Sequence, residues 1–335
     1  MEQRKLGRPS TGTQREVSVI GLGTWQLGAD WGEVDEGQAM AVLGAAVDAG
    51  VTVFDTADVY GDGRSEQIIG SFLAGNPGAA VTVATKMGRR APLDPAEYTL
   101  ENFRAWTDRS RRNLRVDTLD LVQLHCPPEA VFDDDAVFDA LDQLVIDGRV
   151  RAYGVSVETC DQALAAIARP ALTSVQIILN AFRRKPLEAV LPTAERAGVA
   201  IVARVPLASG LLSGRYRHDT AFAADDHRAY NRHGEAFDVG ETFAGVDYDT
   251  GVDAAQEFSA LVEKYTDGRA TPAQVALHWI LQQPGVTTVI PGARSVEQAR
   301  ANATAATIPD LDTELLDQMA DLYERRIRPL VQDRW

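Results

Sequence analysis

The chain has 335 residues, 45% of them hydrophobic and 24% charged, and its 33 basic against 48 acidic side chains give a net charge of -15. At about 150 residues per domain, this length allows two small domains or one large single-core fold. The acidity argues against nucleic-acid and anionic-membrane partners, no run approaches the roughly 18 apolar residues of a membrane span, and Cys126 and Cys160 are too few for a disulfide framework or a four-ligand metal site.

Residues 1–5 lead into no apolar signal core, so a cytoplasmic location is expected. Leu6 and Val17 flank a polar Gly/Pro/Ser/Thr turn, which predicts a β-hairpin over about residues 4–18 capping one end of the fold. From there short β-branched runs alternate with stretches of helical period. The first strand is predicted at 19–24. Behind it Met40, Leu43, Gly44 and Val47 share one helix face, with Gly50 as the C-cap. Further strands are predicted at 51–54, 81–84, 119–124, 152–156, 175–179, 199–203 and 287–290. Eight strand–helix units over this length resolve the choice of architecture toward a single α/β domain, a closed (β/α)8 TIM barrel over residues 1–335. After the seventh strand, about 207–270 is rich in Asp, Gly, Arg and His. Connections of that length are functional more often than structural, so this one is expected to be a lid.

A barrel of this kind carries its chemistry at the C-terminal ends of its strands. Asp55, Lys86 and His125 end the second, third and fourth apolar runs, and Tyr60 lies five residues beyond Asp55. Singly, such residues are most often a helix N-cap, a solvated rim charge and a structural histidine. Together they have one chemical purpose. A phenol of pKa ~10 is a poor acid at neutral pH, and a nearby ammonium favours the phenolate and lowers that value. A carboxylate holds the ammonium in place, and a histidine orients the carbonyl oxygen that takes the proton.

The run from Phe54 to Gly61, FDTADVYG, followed by Gly63, Ser65 and Glu66, resembles the signature of the aldo-keto reductase superfamily. Gly21-Leu22-Gly23-Thr24-Trp25, Thr85-Lys86, Leu124-His125, Gly154-Val155-Ser156, Pro206-Leu207 and Ile290-Pro291-Gly292 fall in that family's order, and the similarity spans about residues 4 to 305. The resemblance implies a metal-free, NAD(P)H-dependent carbonyl reductase, with Tyr60 as general acid, Lys86 and Asp55 as its tuning pair and His125 as the orienting group.

Gly21 to Gln26 has two glycines but lacks the third of the dinucleotide fingerprint, so the cofactor is expected across the barrel rim. The resemblance places Gly23, Thr24, Trp25 and Asp55 on the cofactor side and gives Ser156 and Gln176 to the carboxamide. Many members carry an aromatic stacking residue where this chain has Arg204, and Asn or a basic residue where it has Val157. Pro206, Leu207, Ser209, Leu211 and Arg215 suit a pyrophosphate, with Arg228 as a possible second cation. Gly292 and Arg294 open a helix whose first amides suit an adenosine 2′-phosphate, which favours NADPH, with NADH the alternative, and Gln298 and Asn302, one turn apart, are expected to face the adenine. Trp25, Trp31, Tyr60, Met87, His125 and the lid are expected to wall the pocket of a small-molecule carbonyl substrate. Two other readings stand beside this one. The first is a nucleotide-sensing subunit, since potassium-channel β-subunits resemble the family and look similar at Arg215 and Gln298. The second is a metal-dependent barrel hydrolase, which needs more strand-end histidines than His125 alone.

Overall fold

The computed structural model describes residues 1–28 and 34–335; Trp31 lies outside the described residues. Ten strands occur among them: β1 Gln3–Leu6, β2 Arg15–Ser18, β3 Leu22–Gly23, β4 Val53–Asp55, β5 Thr82–Met87, β6 Leu121–His125, β7 Tyr153–Ser156, β8 Ser174–Ile178, β9 Ala200–Arg204 and β10 Val286–Val289. Every residue of β4 to β10 is buried, as expected of strands covered on both faces. Strands β3 to β10 pair in parallel and in sequence order. The sheet closes on itself through bridges from Ile20 to Val289 and from Gly23 to Gly292, with the Gly21 amide donating to the Val289 carbonyl at 2.8 Å. This is the (β/α)8 barrel.

The hairpin of β1 and β2 plugs one mouth: Leu6 and Val17 pack with Val53, Ala84, Leu121, Ala152 and Ala200 near the strand starts. Outside the barrel lie α1 Glu36–Asp48, α2 Arg64–Gly75, α3 Leu100–Leu114, α4 Asp135–Ile146, α5 Cys160–Ile167, α6 Val190–Ala197, α7 Tyr248–Thr266, α8 Pro272–Leu281, α9 Val296–Thr304 and α10 Thr313–Leu322. Their starts are capped locally. Thr159 and Thr271 form reciprocal capping boxes with Gln162 and Gln274, and Asp35 and Ser295 accept amides of the first turns of α1 and α9. In α1 the buried stripe is Ala39, Val42, Leu43 and Ala46. It lies one position from the predicted face, because alanines allow close approach and leave Met40 and Val47 at the margin. Gly50 lies one residue beyond the cap, Ala49, in the left-handed region at φ +88°.

The expected 207–270 excursion divides in two. Short turns run to Asp247, and then α7 buries Val252, Ala255, Phe258 and Val262 as part of the barrel's outer layer. The irregular lid is therefore shorter than the composition suggested. No helix among the described residues is long and apolar enough to cross a membrane.

Candidate active site

The parallel register sets Asp55 beside Ala84, Lys86 beside Gln123, His125 beside Ser156 and Ser156 beside Gln176, which brings the strand-end residues to one rim. Lys86 Nζ stands 2.5 Å from Asp55 Oδ1, 2.9 Å from the Thr56 carbonyl and 3.3 Å from the Tyr60 hydroxyl. Gln176 Nε2 donates to Asp55 Oδ2 at 2.7 Å. Lys86, Asp55 and His125 are all buried, so the ion pair must be well hydrogen-bonded to offset its desolvation, and it is. The Tyr60 ring meets His125 edge-on at 6.0 Å and stacks on Trp25 at 5.9 Å. All four residues of the predicted tetrad thus come together.

Tyr60 is held by a close backbone approach. A Cβ at Gly28 would lie 2.6 Å from the Tyr60 carbonyl carbon, so only glycine fits there. Hydroxyls tie the surrounding strand ends: Thr24 Oγ1 donates to the Asp55 carbonyl at 2.8 Å, and Ser65 Oγ lies 2.9 Å from both Thr24 Oγ1 and Thr56 Oγ1. The Thr24 side chain, expected on the cofactor side, instead belongs to this scaffold.

Burial pushes the Tyr60 phenol above its ordinary value, and the carboxylates of Asp55 and Glu241 add to the rise; Lys86 pulls it down without winning. The expectation that Lys86 makes Tyr60 more acidic than a free tyrosine is therefore corrected, because desolvation disfavours the phenolate more than one ammonium stabilises it. Burial opposes the Lys86 charge, yet Asp55 and Tyr60 raise its pKa above that of an ordinary lysine. His125 is held well below the usual histidine range, by burial first and then by Arg89, Lys86 and Arg204. It is a neutral imidazole at physiological pH, and its Nδ1 has no hydrogen-bond partner among the described residues.

Asp58, in the same loop, is 1% exposed, and its carboxylate has no close side-chain hydrogen-bond partner among the described residues, the Val59 amide and the more distant Arg90 and Arg109 offsetting its burial only in part. Burial, reinforced by Glu66, pushes it up to about 7. The folded pKa lies above the ordinary 3.8, so the folded state gives up stability as pH rises from about 4 through 7. Asp58→Asn, which removes the ionisation, should therefore raise stability at pH 8 by on the order of 1–3 kcal/mol. Urea unfolding at pH 8 and pH 4 should show that gain shrinking at the lower pH.

Sequence reasoning missed a ring of charges beside His125. Arg204 Nη2 donates to Glu158 Oε2 at 2.8 Å and to the Val157 carbonyl at 3.1 Å, and Arg89 Nη2 bonds Glu241 at 2.7 Å and Glu158 at 3.2 Å. Arg204 Nη1 also lies 3.6 Å from Glu241. Arg204, expected where a stacking aromatic is common, is thus held by two carboxylates. Burial lifts the Glu158 carboxyl to about 7, whereas the two arginines hold Glu241 low against its own burial. Cys126 Sγ and oxygens of both glutamates lie within 4.8 Å of one another, but the arginines already occupy those oxygens.

Other residues expected at the cofactor are distributed as follows. Ser156 is buried within 3.6 Å of Cys126 Sγ. Ser209 Oγ donates to the Glu241 carbonyl at 3.0 Å and accepts the Phe243 amide at 3.1 Å, so it ties down the lid and is not free for a phosphate. Leu211 is a core side chain, Pro206 is buried and Leu207 half-buried. Arg228 pairs with Asp226 through Nε at 2.8 Å. Asn302 Nδ2 donates to the Gly292 carbonyl at 3.1 Å, and Gln298 Oε1 accepts the Arg294 amide at 2.8 Å. Arg215 is exposed and Arg294 half-buried, and neither guanidinium forms an ion pair with any described residue. Met87 is 1% exposed and packs in the core, so the pocket wall loses it. From the lid, the fully buried His227 and the half-buried Phe237 pack 4.8 and 5.9 Å from Trp25.

A closed barrel with a buried Asp–Lys pair touching a rim tyrosine defines a class of enzyme site. The Aldo/keto reductase family model matches residues 19–324, and the chain belongs to that family. It is 34% identical over 331 residues to the uncharacterized oxidoreductase Rv2298 of Mycobacterium tuberculosis, covering 96% of this chain and 93% of that protein. The aldo-keto reductase YhdN of Bacillus subtilis is 30% identical over 297 residues, 85% of this chain and 84% of that protein. Among solved structures, glycerol dehydrogenase AKR11B4 from Gluconobacter oxydans superposes with a TM-score of 0.76 at 30% identity, covering 97% of this chain and 96% of that one. An aldo/keto reductase from Klebsiella pneumoniae in complex with NADP and acetate gives 0.70 at 26% identity, with 95% of each chain covered. The chain is accordingly an oxidoreductase.

Proposed function

We propose that this oxidoreductase reduces an aldehyde or ketone to an alcohol with NADPH, and that Tyr60 donates the proton. The observation that carries the reading is the single ammonium of Lys86 in contact with both Asp55 and the Tyr60 hydroxyl. The bound NADP of the Klebsiella neighbour supports the cofactor. This chain's own residues fit it: among the described residues, His125 Nδ1 and Gln123 Oε1 are buried polar atoms without partners, and the guanidinium groups of Arg215 and Arg294 form no ion pair.

NADPH would supply the hydride. The protein's part is positioning and proton transfer. A carbonyl oxygen seated between the Tyr60 hydroxyl and the neutral His125 ring is held by both groups. As negative charge builds on that oxygen, the Tyr60 proton moves to it, and Lys86, fixed by Asp55, stabilises the phenolate that remains. A phenol with a raised pKa still serves as the acid, because an alkoxide is far more basic than a phenolate. Trp25 offers a flat wall beside the phenol, backed by His227 and Phe237 of the lid.

The reading is tested by the loss of NADPH absorbance with a panel of aromatic aldehydes and hydroxylated ketones, and no turnover across the panel would contradict it. Arg294 at the start of α9 is assigned to the 2′-phosphate. Arg294→Ala should weaken NADPH binding by about 10- to 100-fold, the range of one charge-assisted contact, and leave NADH binding unchanged by fluorescence titration.

A further inference from the structure

The contacts that cover the barrel mouth converge on an indole that touches none of the tetrad. Trp335 is 7% exposed, its Nε1 donates to Asp238 Oδ1 at 3.1 Å, and its ring lies 3.8 Å from the Arg183 guanidinium. The lid segment 238–245 accepts the ring only because residue 245 is glycine: it has φ +77°, and a Cβ there would lie 2.9 Å from Trp335 Cζ3. Arg183, 3% exposed, uses Nη2 to hold the Glu158 carbonyl at 2.6 Å. Glu158 then bonds Arg204 and Arg89, and both arginines return to Glu241 on the same lid segment. The circuit joins the lid to loops following β5, β7 and β8 and to the end of β9. Removing any one of these four charges leaves the other three unbalanced.

We propose that Trp335 and Arg183 are positioning residues that seat segment 238–245 over the barrel mouth and set Glu241 between Arg89 and Arg204, so that this segment is the closure that lifts when nicotinamide and substrate exchange. The closure half rests on the cofactor reading above; the clamp half does not. Cation–π and hydrogen-bond contacts of this kind hold the lid against the barrel without touching the reacting atoms. Their loss opens the segment locally and leaves the barrel folded.

Hydrogen–deuterium exchange of the full chain without ligand tests the clamp. In Trp335→Ala, amides of 238–245 should exchange about tenfold faster while β4 to β6 are unchanged. Trp335→Phe keeps the ring over Arg183 and loses only the Nε1 donor, so it should recover most of the protection. Unchanged exchange in 238–245, or equal loosening throughout the barrel, would overturn the clamp. Stopped-flow fluorescence tests the closure: NADPH should dissociate several-fold faster from Trp335→Ala, with substrate KM raised and the single-turnover rate at saturation preserved. An unchanged dissociation rate would overturn the closure. A wild-type protein that fails to bind NADPH at all would instead overturn the proposed function and leave the clamp standing.

Discussion

Tyr60→Phe should lower kcat by about 10²–10⁴-fold, the usual worth of a positioned general acid, while NADPH still binds. Phenylalanine keeps the ring against Trp25 and His125 and removes only the hydroxyl that Lys86 contacts, so the fold has no reason to change. The same residue sets the pH dependence. Its pKa is raised by burial, so the acid form persists past the ordinary tyrosine value of 10, and His125, held neutral, titrates well below 6.5. The pH profile of reduction should therefore show no acid limb near 6.5 and should fall only at strongly alkaline pH. A rate that climbs steadily through alkaline pH, or a Tyr60→Phe variant as active as the parent, would exclude Tyr60 as the proton donor.

The second large effect is structural as well as chemical. Lys86→Met strands the buried Asp55 carboxylate with only amide donors from Gln176 and Gln123. Removing one partner of a buried ion pair costs about 3–5 kcal/mol, which for a chain of this size is a fall in Tm on the order of 10 °C. Activity should be lost with it. The double variant Lys86→Met/Asp55→Leu, which removes the orphaned charge, should recover much of the Tm and none of the turnover. Thermal unfolding and NADPH consumption on the single and double variants check both halves. A single variant as stable as the parent would show that the pair is not held in the dry contact described.

What the sequence disclosed follows from locality. Strand period, turn residues and Thr or Ser caps act over a few positions, so the eight barrel strands and the hairpin were legible with ends displaced by at most three residues. Asp55, Lys86 and His125 were legible because strand register carries consecutive strand ends to one rim. Tyr60 was legible from its motif. Long-range pairing has no such signature. Arg89, Glu158, Arg204 and Glu241 lie in four separate segments, and nothing in their spacing announces that they meet; Arg204 therefore read as a substitute for an aromatic ring when it is a guanidinium clasped by two carboxylates. His227 falls in the His-rich stretch expected to be a lid, yet it is 0% exposed and packed against Trp25. The direction of the Tyr60 shift was missed for a related reason: a sequence shows which charge is near a phenol but not how little water is. Ser209, Thr24 and Asn302 show the converse. Each falls where a cofactor contact was expected, and each bonds the protein's own backbone, because a polar group beside an otherwise unpaired carbonyl or amide away from bulk water bonds it first.

The proton-donor role and the hydride chemistry meet in a single product. The purified protein can be given NADPH deuterated at the transferable position of the nicotinamide together with an aldehyde substrate, and the alcohol analysed by mass spectrometry and NMR. One deuterium on the carbinol carbon for each NADPH consumed, with the yield collapsing in Tyr60→Phe, is the predicted result. Alcohol formed without deuterium at that carbon, or formed equally well by Tyr60→Phe, would contradict it.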